Sequence, residues 1–129
     1  AERRERPLTT TTHLSRLVAA TVPRRAWPKR IHVATRTFQA LRIAVNEELG
    51  SLERGLHDSL GLLAPGGRVC VISFQSLEDR IVKETFRTWA RSDPRRACLL
   101  TKRPIVPMRD EIDANPRARS GKLRAAERL

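Results

Sequence analysis

An α/β fold is predicted by three features of this sequence. The first is a Pro-Gly-Gly turn at residues 65–67, followed by a Val- and Ile-rich run and then by polar residues that can start a helix. The second is a long helical periodicity before this block, and the third is an amphipathic stripe after it. Helix, turn, strand and helix make half of an α/β repeat, so the strand needs partner strands from elsewhere.

The first predicted element is a short helix that follows the Thr run at residues 9–12. Threonine is a good N-cap residue, and apolar residues then recur at helical spacing up to Val22. Pro23 ends this helix. Residues 23–36 predict an irregular connection that contains Trp27 and His32.

The strongest periodicity predicts one long helix, or two in line, over residues 37–63. Its apolar residues are three or four positions apart: Phe38, Leu41, Val45, Leu49, Leu52, Leu56, Leu60 and Leu63. A glycine inside a helix costs about 1 kcal/mol relative to alanine. We therefore expect a break near Gly50.

Residues 68–74 predict a buried strand, in which Cys70 would be a small core residue. Ser76 is placed to cap the next helix, where Glu78 and Asp79 would complement the positive end of the helix dipole. The same two acids also lie where ligands bind in open α/β sheets, but capping explains them without a ligand. The buried stripe of this helix consists of Leu77, Ile81, Val82, Phe86 and Trp89.

The C-terminal region predicts little regular structure. Asp93-Pro94 ends the preceding helix, and residues 99–102 predict a short strand before two prolines. Residues 115–122 predict a basic, turn-forming loop. Residues 123–129 are compatible with either a final strand or a frayed helix.

Charge is concentrated at the two ends of the chain, which has a formal net charge of +12. Residues 1–42 and 80–129 are each strongly basic, whereas residues 43–79 are acidic. Of the 26 Lys and Arg residues, 22 are Arg, a residue that contacts phosphate bidentately. This pattern favours a nucleic acid partner over a merely solvated basic surface.

Several classes of site are not expected. Two cysteines and three scattered histidines match no zinc-ligand spacing or disulfide framework, so we expect no metal. No apolar run approaches a membrane span, and a reducing, cytoplasmic location is expected. The sequence also contains no GxGxxG loop, P-loop or nucleophile elbow.

Two groups of residues are candidates for binding. Gln75 and Ser76 follow the predicted strand, where they could hydrogen-bond a base or a ribose. Arg117, Arg119 and Lys122 are close together in the basic loop, where they could contact phosphate or simply remain solvated.

Four blocks of the sequence, at residues 35–49, 63–68, 72–80 and 115–124, together resemble the bacterial small-subunit ribosomal RNA cytosine-N4 methyltransferases, the RsmH or MraW family. The resemblance implies the C-terminal part of a class I, Rossmann-like methyltransferase that uses S-adenosylmethionine. Residues 1–35 would then be the end of a helical, substrate-binding insertion, and residues 36–129 the C-terminal part of the methyltransferase domain. The implied partner is ribosomal RNA or the small ribosomal subunit.

The resemblance also implies roles for individual residues and the absence of the cofactor loop from this sequence. The family's cofactor loop would lie upstream of Ala1, so we expect no cofactor-binding residue here and no activity from the isolated chain. Gln75 stands where the family usually has His, and Val33 where it usually has Pro. The rival hypothesis is a non-catalytic, basic RNA-binding or ribosome-associated module. The candidate residues are Phe74, Gln75 and Ser76 for the substrate pocket, and Arg36, Arg42, Arg117, Arg119 and Lys122 for RNA.

Overall fold

The computed structural model describes residues 7–29, 31–92 and 97–129, which fall into two compact units that meet between Glu47 and Glu48. The described residues form five α-helices, two 3₁₀ turns and three strands. In chain order these are α1 (Thr11–Thr21), a 3₁₀ turn (Arg24–Ala26), α2 (Thr35–Asn46), α3 (Glu48–Leu62), β1 (Arg68–Ser73), α4 (Ser76–Ser92), β2 (Ala97–Leu99), α5 (Arg109–Ala114), a second 3₁₀ turn (Pro116–Ser120) and β3 (Lys122–Arg128).

The first unit contains two helices, α1 and α2, whose ends follow from local chemistry. The Thr10 hydroxyl accepts a hydrogen bond of 3.1 Å from the backbone N–H of His13, which confirms that the Thr run caps α1. The predicted break in the long helix lies at Glu47 rather than Gly50. Glu47 adopts a left-handed conformation with φ of 50° and ends α2, whereas Gly50 lies inside α3.

The second unit is built around α4, which packs between α3 and one face of the sheet. Its most buried side chains are Leu56 from α3, Val82 and Phe86 from α4, and Ala126 from β3. The rings of Phe86 and Trp89 lie 5.1 Å apart between their centres. The predicted stripe of α4 is therefore confirmed, except that Leu77 at its start is 43% exposed.

The sheet has the strand order β1-β3-β2, and β3 runs antiparallel to both neighbours. β1 and β2 consequently run parallel to each other, and α4 connects them. The α/β repeat that residues 65–80 predict is thus completed within the chain, with β3 inserted between its two strands. Residues 122–128 form a strand and not a frayed helix, and the short strand β2 begins two residues before the predicted range.

The two faces of β1 have different surroundings. Val69 and Val71 pack against the core cluster beneath α4. Cys70 and Ile72 lie on the opposite face, because successive side chains in a strand alternate. Cys70 is exposed, so its prediction as a core residue is wrong.

The Gly66-Gly67 turn joins α3 to the sheet. Gly66 has a φ of 78°, a conformation that glycine adopts without strain. Its N–H donates to the Arg128 carbonyl at 2.7 Å, and the Arg128 N–H donates to the Gly67 carbonyl at 2.8 Å. The Arg128 guanidinium also donates to the carbonyls of Gly61 and Leu63 at the end of α3. One residue of β3 therefore closes both the turn and the helix end.

Candidate functional site

A row of three aliphatic residues crosses the open face of the sheet. Leu123 in β3 is paired with Ile72 in β1 on one side and with Ile105 on the other. Ile105 donates its N–H to the Leu123 carbonyl at 2.9 Å and accepts from the Leu123 N–H at 2.8 Å. Ile72 and Ile105 are each 59% exposed. The row forms the apolar floor of a pocket.

This pocket has a volume of about 280 Å³ and lies next to the carboxyl end of β1. Phe74, directly after β1, forms one wall. Gly121 lies beside it: a Cβ there would be 3.5 Å from Phe74 Cε1 and only 3.0 Å from the Ala118 carbonyl oxygen. A side chain at position 121 would therefore crowd the Ala118 carbonyl and contact the Phe74 ring. Four polar residues also line the pocket: Glu111, Asn115, Arg117 and Lys122.

The second 3₁₀ turn presents the basic side chains. Its start is fixed by Pro116 and by the Asn115 side-chain oxygen, which accepts a 3.2 Å hydrogen bond from the Arg117 N–H. The turn closes where the Gly121 N–H donates to the Ala118 carbonyl at 2.7 Å. Arg117 and Arg119 are both exposed, and Arg117 is the one that lines the pocket.

An ion cluster that shares Lys122 with the pocket connects β3 to α4. The Asp79 carboxylate accepts from Arg124 Nε at 2.7 Å and from Lys122 Nζ at 3.4 Å. The Asp79 and Arg124 side chains are only 13% and 8% exposed. The hydrogen bond from the Arg124 guanidinium lowers the pKa of Asp79, and Lys122 acts in the same direction. Asp79 thus stays ionised and holds Lys122, which also lines the pocket.

Glu78 supplies the cap at the start of α4. Its carboxylate accepts from the backbone N–H groups of Phe74 and Gln75, at 3.0 and 3.1 Å. Ser76, predicted as the N-cap, is instead the first residue of the helix. The two candidate acids therefore have structural roles, Glu78 in capping and Asp79 in the ion cluster.

The structure brings some of the predicted site residues together and leaves others apart. Phe74, Arg117 and Lys122 line the same pocket, whereas Gln75 and Ser76 follow Phe74 outside it. The Gln75 side-chain oxygen is buried and has no hydrogen-bond partner among the described residues. Arg36 and Arg42 lie on α2, in the first unit.

Sequence reasoning missed Glu111 and the aliphatic floor. The floor depends on the isolated pairing of Ile105 with Leu123, for which the sequence has no local signal. Glu111 belongs to α5, a six-residue helix too short to show a clear apolar period. The sequence did contain one signal for this part of the pocket. The Asn115-Pro116 turn marks where the polypeptide returns to the sheet.

Two further observations bear on ligands and location. In residues 7–29, 31–92 and 97–129, no group of three or more His, Cys, Asp or Glu side chains is arranged to hold a metal ion. None of the described helices is long and apolar enough to cross a membrane.

Together these features define an α/β protein with a mainly apolar pocket, edged by four polar residues, at the carboxyl end of a strand, the position that ligands favour in such folds. The chain belongs to the MraW methylase family, whose model matches residues 1–129. This result confirms the resemblance found in the sequence.

Individual relatives agree with the family match. The chain is 57% identical over 95% of its length to a protein of Geobacter sulfurreducens, and 54% identical over 98% to one of Trichlorobacter lovleyi. It is also 56% identical over 96% of its length to a protein of Rippkaea orientalis. Each relative is named ribosomal RNA small subunit methyltransferase H. The chain spans 39–45% of the length of these three proteins.

Proposed function

We propose that this chain is the C-terminal part of an enzyme that transfers a methyl group from S-adenosylmethionine to N4 of a cytidine in small-subunit ribosomal RNA. The family and the names of the relatives support methyl transfer to this RNA. The observation that carries the proposal is the pocket, which combines an aromatic wall, a carboxylate and two cations around an apolar floor.

Each part of the pocket matches one part of a nucleotide. The Phe74 ring and the aliphatic floor offer a surface on which a base removed from its stack can lie. The Glu111 carboxylate can accept a hydrogen bond from the exocyclic amine of cytosine. Arg117 and Lys122 supply positive charge for the phosphates on either side. Asp79 acts through Lys122 by holding its ammonium group.

These residues contribute positioning, because methyl transfer needs the amine aligned with the methyl donor. The amine lone pair of cytosine is delocalised into the ring, so an acceptor for the amine protons would favour attack. S-adenosylmethionine supplies the methyl group as a sulfonium. In the described part of the chain, the glycine turn at Gly66-Gly67 is already bonded to Arg128 and does not fit a cofactor. We therefore do not assign this turn to the cofactor.

The remaining expectations belong to the same proposal. The parallel strands β1 and β2 with the crossover helix α4 are compatible with the edge of a Rossmann-like sheet. Residues 1–35 would end a helical insertion, and residues 36–129 would continue the catalytic domain. We propose ribosomal RNA or the small ribosomal subunit as partner, and the cytoplasm as location.

The test uses this chain in place of the matching segment of the Geobacter sulfurreducens relative. Small ribosomal subunits lacking the modification are incubated with this protein and S-adenosylmethionine labelled in the methyl group. Digestion to nucleosides and mass spectrometry then identify the labelled product. N4-methylcytidine is the expected product, and label on another nucleoside or on another atom of cytidine contradicts the proposal.

Variants of the pocket test its role. Phe74→Ala and Glu111→Gln should each lower kcat/KM by about tenfold or more, because the first removes the ring against which the base lies and the second replaces the charged acceptor for the amine with a weaker, neutral one. The matched control for Glu111→Gln is Asp113→Asn. Asp113 lies on the same helix, where it pairs with Arg109 and its side chain is 66% exposed. Pocket variants that behave like this control would show that the pocket does not bind the target base.

A further inference from the structure

A second surface with the chemistry of RNA binding lies in the first unit, in the connection between α1 and α2. We call residues 22–29 together with residues 31 and 32 the Trp27 turn. The sequence from residue 7 to residue 46 contains seven Lys or Arg residues and no Asp or Glu. Five of the seven lie between residues 24 and 36. The segment therefore carries a concentrated positive charge, and it contains no carboxylate that could neutralise this charge.

The Trp27 ring is fixed in place. Its indole Nε1–H donates to the Val22 carbonyl at 2.9 Å, across a turn bracketed by Pro23 and Pro28. Pro residues restrict the backbone on both sides. The ring remains partly exposed. Because a tryptophan ring is large and mostly apolar, its exposure to solvent is unfavourable unless the ring contacts a partner.

Planar groups surround this ring. The Arg24 guanidinium carbon lies 4.0 Å from the centre of the Trp27 ring. The His32 ring lies 6.4 Å away from it, centre to centre, and its Nδ1 accepts a 3.1 Å hydrogen bond from the Ala34 N–H. Stacked on an aromatic ring, a guanidinium still has N–H groups that can donate to phosphate. Arg25 and Lys29 are exposed in the same turn.

Aromatic and guanidinium planes next to exposed cations are the means by which proteins bind single-stranded RNA without reading its sequence. We propose that the Trp27 turn binds a single-stranded segment of the ribosomal RNA substrate, through stacking on Arg24, Trp27 and His32 and through phosphate contacts from Arg25 and Lys29. The choice of RNA as partner rests on the proposed function. The surface is distinct from the pocket residues, which all belong to the second unit.

The experiment measures binding of the complete 129-residue chain to a fluorescently labelled, single-stranded RNA over a range of salt concentrations. Trp27→Leu should weaken binding about tenfold, because it removes base stacking, and leave the salt dependence unchanged. Arg25→Gln with Lys29→Gln should reduce the slope of log K against log salt by about 1.4, or about 0.7 for each phosphate contact. Far-ultraviolet circular dichroism checks that each variant retains its helices.

The matched control is Lys102→Gln with Arg103→Gln, which removes the same charge from exposed positions in the second unit. An equal loss of slope in this control would overturn the proposal, since net charge alone would then explain binding. A Trp27→Leu variant with unchanged affinity would overturn it too. If Trp27→Leu alters the helices, a second measurement takes its place: the fluorescence of Trp27 is followed in a Trp89→Phe chain as RNA is added. Quenching of this fluorescence supports stacking of a base on Trp27, and its absence contradicts stacking.

Two further arms separate this inference from its alternatives. Equal Trp27→Leu effects on duplex RNA would exclude a single-strand site, and effects seen only with phosphatidylglycerol vesicles would assign the turn to membranes. The assay measures binding and not methyl transfer. A failed methylation assay with RNA binding that depends on Trp27 would therefore overturn the proposed function alone.

Discussion

The two units of this chain use charge in opposite ways. In the second unit the central carboxylate, Asp79, lies between two cations and is almost buried with Arg124. In the first unit Arg24, Arg25 and Lys29 are exposed, and residues 7–46 contain no acidic residue. Exposed cations without carboxylates in their own segment suit an external polyanion, whereas removing one partner of a buried pair leaves an uncompensated charge.

The two units also differ in packing. The second unit has a core of Phe86, Val82, Leu56 and Ala126, whereas the hydrophobic residues classed as buried in the described part of the first unit are Val33 and Ala34. The comparison indicates that the described part of the second unit has the larger core. Each unit has its own tryptophan, Trp27 or Trp89, whose fluorescence reports on it.

The largest expected effect tests the core of the second unit. Phe86 is 2% exposed, so Phe86→Ala removes a buried ring and leaves a cavity. We expect a loss of about 3–5 kcal/mol in the free energy of unfolding. Urea unfolding followed by Trp89 fluorescence in a Trp27→Phe chain measures it. A loss below about 1 kcal/mol would show that this core does not set the stability of the unit.

Asp79→Asn should have the next largest effect, because it leaves the buried Arg124 guanidinium without its carboxylate. We expect a loss of about 2 kcal/mol near neutral pH. The lowered pKa of Asp79 means that the unfolded chain takes up the proton first as the pH falls, so this stability is complete above about pH 4.

The difference between wild type and Asp79→Asn should accordingly shrink as the pH falls below 3.8, the ordinary pKa of the group. Urea unfolding at a series of pH values gives this dependence. Asp113→Asn, in an exposed pair, is the control and should change stability by about 0.5 kcal/mol or less. A difference that stays constant with pH would contradict the role given to the carboxylate.

A smaller effect is expected for packing in the first unit. Val33→Ala removes two methyl groups from a residue that is 7% exposed. The expected loss is about 1–2 kcal/mol, measured through Trp27 fluorescence in a Trp89→Phe chain. A loss as large as that of Phe86→Ala would remove the contrast in packing between the two units.

The smallest effect is expected for the cations of the Trp27 turn. Arg25→Gln and Lys29→Gln change exposed side chains, and each should alter the free energy of unfolding by about 0.5 kcal/mol or less. Thermal unfolding followed by circular dichroism measures the change. Strong destabilisation would mean that these charges serve the fold, and the contrast between the units would then fail.

The structural features that depend on neighbouring residues were the ones that the sequence predicted correctly. The cap at Thr10, the strand at residues 68–73 and the stripe of α4 each depend on neighbouring residues, and the structure confirms them. Cys70 was misplaced because a short apolar run does not reveal that one face of the strand is open. Glu47 could not be predicted as the helix break, since a left-handed glutamate has no strong sequence signal.

The candidate site was partly predictable for the same reason. Phe74 directly follows residues whose pattern strongly predicts a strand. Arg117 and Lys122 belong to a basic loop that the sequence shows clearly. Their meeting in one pocket depends on the register of β1 with β3, which pairs residues about fifty positions apart. The bridge at Ile105 and the ion cluster at Asp79 depend on the same long-range register, so no local pattern could reveal them.

The position of β3 has a consequence for synthesis. β3 is the central strand, and both of its neighbours precede it in the sequence. On the ribosome, β1 and β2 must wait for residues 122–128 before either can gain its partner among the described strands. Until then the apolar face of α4 lacks its contacts with β3, which exposes the nascent chain to aggregation or to chaperones. The three described strands therefore pair only after β3, the last of them to be synthesised, is available.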